Sequence, residues 1–165
     1  MFPPPLLRLA EAVLAACRAR GLRLATAESC TGGLIAGALT AVAGSSDVVE
    51  RGFVTYTNES KSAMLGVPAP LIAVHGAVSE PVARAMAEGT LAHSPADLAV
   101  AVTGIAGPTG GTPEKPVGLV HLAAARRGGP TWHERHVFAG DRAAVREQTV
   151  EIALRMVERL AKEPS

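Results

Sequence analysis

The sequence predicts an α/β fold, a layered mixed β-sheet flanked by helices. Two observations carry that reading. Short apolar runs bounded by glycine, proline and polar residues alternate with stretches whose apolar residues recur every three or four positions. The last two runs are separated only by a Gly128-Gly129-Pro130 turn, so part of the sheet is antiparallel. A length of 165 residues fits a single domain with an ordinary core, and no internal repeat or linker divides it.

The elements follow in order. After a stiff Pro3-Pro4-Pro5 lead-in, Leu6, Leu7, Ala10, Val13, Leu14 and Cys17 recur at helical spacing, and Gly21 closes the pattern. Leu22 to Ala27 reads as a buried strand. Residues 31–43 read as a small-residue helix stopped by Gly44, and Val48 to Thr57 as a second strand. Asn58 is placed to cap a short helix reaching Leu65, closed by Gly66 and Pro68. Ser79, followed by an acid and a proline, marks the start of a helix carrying Val82, Ala85, Met86 and Gly89. Asp97 to Val102 is a β-branched central strand that opens into a glycine-rich loop, Thr103 to Thr112. Val117 to Ala125 and Thr131 to Phe138 form the hairpin. Asp141 is placed to cap a last helix with its stripe at Val145, Thr149, Ile152, Met156, Val157 and Leu160.

Composition excludes several classes of function. A net charge of +1 and an aromatic content of 3% give neither the basic surface nor the stacking platform of a nucleic-acid binder. No apolar run is long enough to span a membrane, and the first residues lack the pattern of a signal peptide, so a cytoplasmic protein is expected. Two cysteines, Cys17 and Cys30, form neither a disulfide framework nor a metal-ligand cluster. Cys17 lies on an apolar stripe and reads as core.

Three polar segments fall at the ends of predicted strands: residues 28–33, 56–61 and 103–112. In open α/β sheets ligands bind beyond the carboxyl ends of the strands, so the three can share one cleft. In the first, Ser29 and Cys30 stand before Thr31, Gly32 and Gly33, at a strand-to-helix junction whose free N–H groups favour negative charge. Ser29 with Lys61 is a candidate nucleophile and base, which requires the lysine to be neutral. Bringing its pKa from about 10.4 to near 7 costs roughly 4–5 kcal/mol, which burial beside the positive end of a helix would supply. Cys30 is the rival nucleophile, a thiol whose pKa a helix N-terminus lowers. Tyr56, the one tyrosine, is placed to relay a proton or orient the serine. The loop at Thr103, Gly104, Ala106 and Gly107 fits neither the P-loop nor the dinucleotide fingerprint, and suits a ribose or phosphate held by backbone and threonine groups. Arg142 and Arg146 stand four apart near the start of the last helix, within reach of a phosphate. For each group the ordinary structural reading, as cap, surface charge or connection, stays open on spacing alone.

Taken together, Ala27 to Gly33, Tyr56 to Lys61, Gly76 to Glu80, Thr103 to Pro108, Lys115 to Gly118 and Gly140 to Arg142 resemble the CinA C-terminal domain family. The resemblance runs in order from about residue 6 to 160, and implies one amidase domain over residues 1–165 without the separate N-terminal domain of fused members. It implies hydrolysis of the carboxamide of nicotinamide mononucleotide to nicotinic acid mononucleotide and ammonia, with no metal and no cofactor. The family's serine maps on Ser29, its lysine on Lys61 and its tyrosine on Tyr56. Helix N–H groups near Thr31 to Gly33 would then hold the oxyanion, and the Thr103 loop with Arg142 the ribose phosphate. Two alternatives stand beside it: a non-catalytic nucleotide-binding module linked to competence or DNA damage, and an amidase acting on another small amide. A homo-oligomer is compatible with a domain of this size.

Overall fold

The computed structural model describes residues 1–164. Five strands form one sheet in the order β2-β1-β3-β4-β5. They are β1 (Leu24–Glu28), β2 (Val49–Val54), β3 (Leu98–Gly104), β4 (Leu119–Arg126) and β5 (Thr131–Val137). β1 pairs in parallel with β2 and β3, while β3–β4 and β4–β5 are antiparallel, the mixed sheet that the hairpin predicts. The helices are α1 (Pro4–Ala19), α2 (Leu34–Thr40), α3 (Asn58–Leu65), α4 (Ala69–His75), α5 (Glu80–Ala92) and α6 (Arg142–Lys162).

The period of two along the strands sorts side chains by size between the two faces. Leu24, Leu98, Val100, Val102, Val120 and Leu122 face a core shared with α1, α2 and α6. The opposite face is nearly all alanine, Ala25, Ala27, Ala99, Ala101, Ala123 and Ala125, and packs on α3, α4 and α5. The alanine-rich composition is therefore a packing device. It lets α5 lie close to the sheet, and α3 close to α5: a Cβ at Gly89 of α5 would strike the Leu65 carbonyl.

Several local expectations are corrected. The helix predicted over residues 31–43 runs only from Leu34 to Thr40, because Gly32 and Gly33 take left-handed backbone at φ +57° and +105° and make a turn instead. Thr57, not Asn58, caps α3, its hydroxyl accepting the Ser60 N–H at 3.1 Å. Ser79 holds the N-cap position of α5, but its hydroxyl donates to the Gly76 carbonyl rather than accepting from the helix. α4 was not anticipated; its signal was Pro68 followed by Pro70 at a helix start. Asp141 does cap α6, accepting the Ala144 N–H at 2.9 Å.

Candidate active site

The order β2-β1-β3 places the chain's reversal of direction between β1 and β3. From β1 the chain crosses through α2 to β2 on one side. From β2 it returns through α3, α4 and α5 to β3 on the other side. The loops leaving β1 and β3 therefore part above two adjacent strands and open a crevice, where ligands collect in sheets of this kind. A cleft of about 280 Å³ lies there, lined by Ser29, Cys30, Tyr56, Asn58, Lys61, Ala77, Val78, Arg142 and the loop from Thr103 to Gly110. All three polar segments named from the sequence reach it.

The strand register brings Ser29 and Lys61 together. Glu28 pairs with Val54, and the Thr55 N–H donates to the Glu28 carbonyl at 2.8 Å, so Ser29 and Thr55 leave the sheet side by side. The turn at Thr57 then starts α3 and points Lys61 back beneath Ser29. Lys61 is 1% exposed, so it is no solvated surface lysine. Its Nζ lies 3.2 Å from Ser29 Oγ, 3.0 Å from the Thr55 carbonyl and 3.3 Å from the Tyr56 carbonyl. Burial pushes its pKa below the ordinary lysine value, only partly offset by Cys30 and Glu59. No carboxylate pairs with it among the described residues.

Cys30 lines the same cleft, but burial raises its thiol pKa to about 11, with the Glu28 carboxylate adding to the rise. The lowering expected at a helix start does not occur, because the first amides of α2 are already engaged. The Glu28 carboxylate accepts the Ile35 N–H at 2.9 Å, the Ala36 N–H at 3.0 Å and the Thr31 hydroxyl at 2.6 Å. Sequence reasoning missed this role of Glu28; an acid closing a buried strand just before a turn was the available signal.

Thr31, Gly32 and Gly33 accordingly stand off the cleft wall. Thr31 is buried on Glu28, the Gly32 N–H donates to the Ser29 carbonyl at 3.1 Å, and both glycines border a separate hollow with Phe2 and Leu7. The Cys30 and Thr31 amides, by contrast, donate to no oxygen among the described residues. Arg146 also serves the turn, not the cleft: its guanidinium donates to the Cys30 and Thr31 carbonyls at 3.1 and 3.3 Å.

The far wall is built from the β3 end. The Thr103 hydroxyl donates to the Ala77 carbonyl at 2.9 Å, tying the loop before α5 to β3. Lys115 Nζ donates to the His75 carbonyl at 2.6 Å and closes the same corner. Gly104 and Gly107 leave no room for a side chain, since a Cβ on either would strike Val120 or Val117. Arg142 bridges the rim, donating to the Gly107 carbonyl at 2.9 Å and the Tyr56 hydroxyl at 3.2 Å. Tyr56 is 60% exposed, and its hydroxyl meets Arg142, not Ser29. No histidine lines the cleft. His121 and His133 bond each other at 2.8 Å on the hairpin, where burial and His133 hold the His121 pKa down near 4. Among the described residues no cluster of His, Cys, Asp and Glu has the makings of a metal site, and no helix is long and apolar enough to cross a membrane.

A nicotinamide-nucleotide amidohydrolase PncC of Escherichia coli is 53% identical over 154 residues, covering 93% of both chains. A CinA-like protein of Anaeromyxobacter is 56% identical over 145 residues, covering 88% of this chain and 35% of its own length. The chain thus spans about a third of the longer curated relatives it matches. The crystal structure of the competence/damage inducible protein CihA of Agrobacterium tumefaciens superposes with a TM-score of 0.96 at 52% identity, covering 98% of this chain and 99% of that one. The family model described as the CinA C-terminal domain matches residues 6–161, and the chain belongs to that family.

Proposed function

We propose that this chain is a nicotinamide-nucleotide amidase, hydrolysing the carboxamide of nicotinamide mononucleotide to nicotinic acid mononucleotide and ammonia. The observation that carries the chemistry is Ser29 Oγ at 3.2 Å from a buried lysine with no acidic partner among the described residues. The substrate is supported by the amidohydrolase name of the Escherichia coli relative.

In its working form Lys61 is neutral. Its two N–H groups donate to the Thr55 and Tyr56 carbonyls, which leaves the nitrogen lone pair to accept the Ser29 hydroxyl proton. Ser29 Oγ attacks the amide carbon as Lys61 takes that proton. The C–N bond then breaks, with Lys61 returning the proton to the departing nitrogen, and ammonia leaves an ester on Ser29. Water attacks the ester carbon, Lys61 takes its proton and passes it to Ser29 Oγ, and the acid is released. None of these steps requires a metal or a cofactor. The Cys30 amide is the oxyanion donor, replacing the Thr31 to Gly33 amides expected from the sequence; it follows the nucleophile and has no other oxygen to serve among the described residues. Thr103, the backbone from Gly104 to Gly107, and Arg142 hold the ribose phosphate, and Tyr56 orients Arg142. The enzyme is cytoplasmic on this reading, with a small-molecule substrate and no nucleic-acid partner.

The test is ammonia release from nicotinamide mononucleotide by wild type, Ser29→Ala and Lys61→Ala. Release by the wild type alone is the expected result. Absence of release from a folded wild type that still binds the mononucleotide in a thermal-shift assay would overturn the amidase reading in favour of a binding module.

A further inference from the structure

We infer that Glu28 is a positioning residue of this reaction, one that commits the turn after β1 to serine chemistry. This deepens the amidase reading and rests on it. Glu28 is buried, directly precedes the nucleophile, and lies outside the cleft lining. Its carboxylate takes three donors from the following turn and helix, the Thr31 hydroxyl and the Ile35 and Ala36 amides. Its carbonyl accepts the Thr55 N–H from the strand that leads to Lys61. One residue thus ties β1 to both the turn carrying Ser29 and the strand delivering its base.

Two consequences follow. First, the turn is held from both sides: Glu28 grips its far end, and Arg146 grips the Cys30 and Thr31 carbonyls. The Cys30 amide, next in the chain to Ser29, donates to no oxygen among the described residues. Without the carboxylate, the Ile35 and Ala36 amides need new acceptors in a buried place, and the turn must shift to find them. Second, the charge of Glu28 acts on the Cys30 thiol in the opposite sense to that of Arg146. Burial is the main reason the thiol stays protonated, and the negative charge of Glu28 adds to it beside a serine that reacts through a neutral lysine. The thiol therefore does not compete for the substrate or for Lys61.

The test uses Glu28→Gln, which keeps the shape but removes the charge and sets an NH2 against the Ala36 N–H. Turnover of nicotinamide mononucleotide is measured beside the rate of iodoacetamide alkylation of each cysteine, read by peptide mass spectrometry. Cys17, on the buried face of α1, lies in the core and reports unfolding. The expected result is a fall in kcat of about tenfold or more with KM within about threefold, since the ribose phosphate contacts lie on the other wall. Cys30 alkylation should rise about threefold or more while Cys17 stays protected. Wild-type kcat, or unchanged Cys30 reactivity in a folded variant, would overturn the inference. Should Cys17 become reactive, the decisive variant is Thr31→Val, which keeps the volume and removes one of the three donors. A kcat reduced about threefold with Cys17 protected supports the inference, and wild-type kcat overturns it. The thiol measurement needs no substrate, so a wild type that releases no ammonia would sink the amidase reading separately.

Discussion

Replacing Lys61 with methionine separates its charge from its volume. Removing a positioned general base costs about 10²–10⁴ in rate, which is about 3–5 kcal/mol of transition-state stabilisation. The same variant changes the pH dependence of stability. Burial disfavours the ammonium form of Lys61 in the folded protein, whereas the unfolded chain titrates near the ordinary value of about 10.4. Above that pH both states are neutral and the lysine carries no penalty. As the pH falls below it, the unfolded chain takes the proton first and the wild type loses stability. The loss ends once the pH passes the lowered folded pKa. The slope is at most about 1.36 kcal/mol per pH unit. Lys61→Met lacks this arm. The unpaired Thr55 and Tyr56 carbonyls lower the stability of the variant by an amount independent of pH, so they do not disturb the comparison. Urea unfolding of both proteins from pH 6 to 10.5 should therefore show wild type losing ground to the variant as pH falls. Over the same range kcat/KM of the wild type should rise with pH and level off below about 10.4, where Lys61 becomes neutral. Cys30, with its pKa near 11, stays protonated across most of that range. A pH-independent stability difference, or a Lys61→Met turnover within tenfold of wild type, would refute the assignment of a neutral buried lysine as the base.

The remaining predictions concern the nucleophile, the rim and the loop. Ser29→Ala should lose about 10³-fold or more in kcat, while Cys30→Ala stays within about threefold, both read as ammonia release with folding checked by circular dichroism. Arg142→Ala should raise KM for the mononucleotide about tenfold or more, the scale of a hydrogen bond to a charged group, with kcat little changed. A fall in kcat at constant KM would place Arg142 in the chemistry instead. Gly118→Ala should lose at least about 1–3 kcal/mol in urea unfolding, because Gly118 stands at φ +94° with its Cβ position against the Phe138 carbonyl. A stability equal to wild type would show that this loop joins β4 more loosely than the contacts indicate.

What the sequence made legible was whatever depends on local pattern. Each of the five strands lies within three residues of its apolar run at either end, and the hairpin announced the antiparallel half of the sheet. The convergence of the three polar segments followed from the rule that ligands sit beyond strand ends, and Ser29, Cys30, Tyr56, Lys61, Thr103, Gly104, Ala106, Gly107 and Arg142 all line one cleft. What stayed hidden were the choices between equivalent partners. Both Thr57 and Asn58 are good caps, and only the path of the chain decides that Thr57 takes the Ser60 amide. Thr31 and the glycines beside it read as anion binders because nothing in the order of residues shows that Glu28 folds back onto the same amides. Likewise Arg142 and Arg146 are indistinguishable as helix positions, yet one meets the rim and the other the carbonyls of the turn.

On the proposed mechanism, the placement of Lys61 explains how a lysine serves as base without a carboxylate to orient it. A histidine base needs a third group to fix its ring, whereas an amine needs only its N–H directions filled. The Thr55 and Tyr56 carbonyls fill them from within six residues of Lys61 in the same chain, so the base is oriented by backbone that the β1–β2 pairing already fixes. That pairing is irregular at its start, where Leu24 pairs with Val49 but Ala25 with Arg51, leaving Glu50 extra in β2. From Ala25 onward the register is regular, and it ends with Glu28 beside Val54, where the Thr55 N–H donates to the Glu28 carbonyl. A slip of one residue would exchange the faces of β2 and carry the Thr55 and Tyr56 carbonyls away from Ser29. The Ser29–Lys61 pair is therefore fixed by the register of one parallel strand pair. The antiparallel half of the sheet contributes the β3 exit with its glycine-rich loop, which forms the far wall of the cleft.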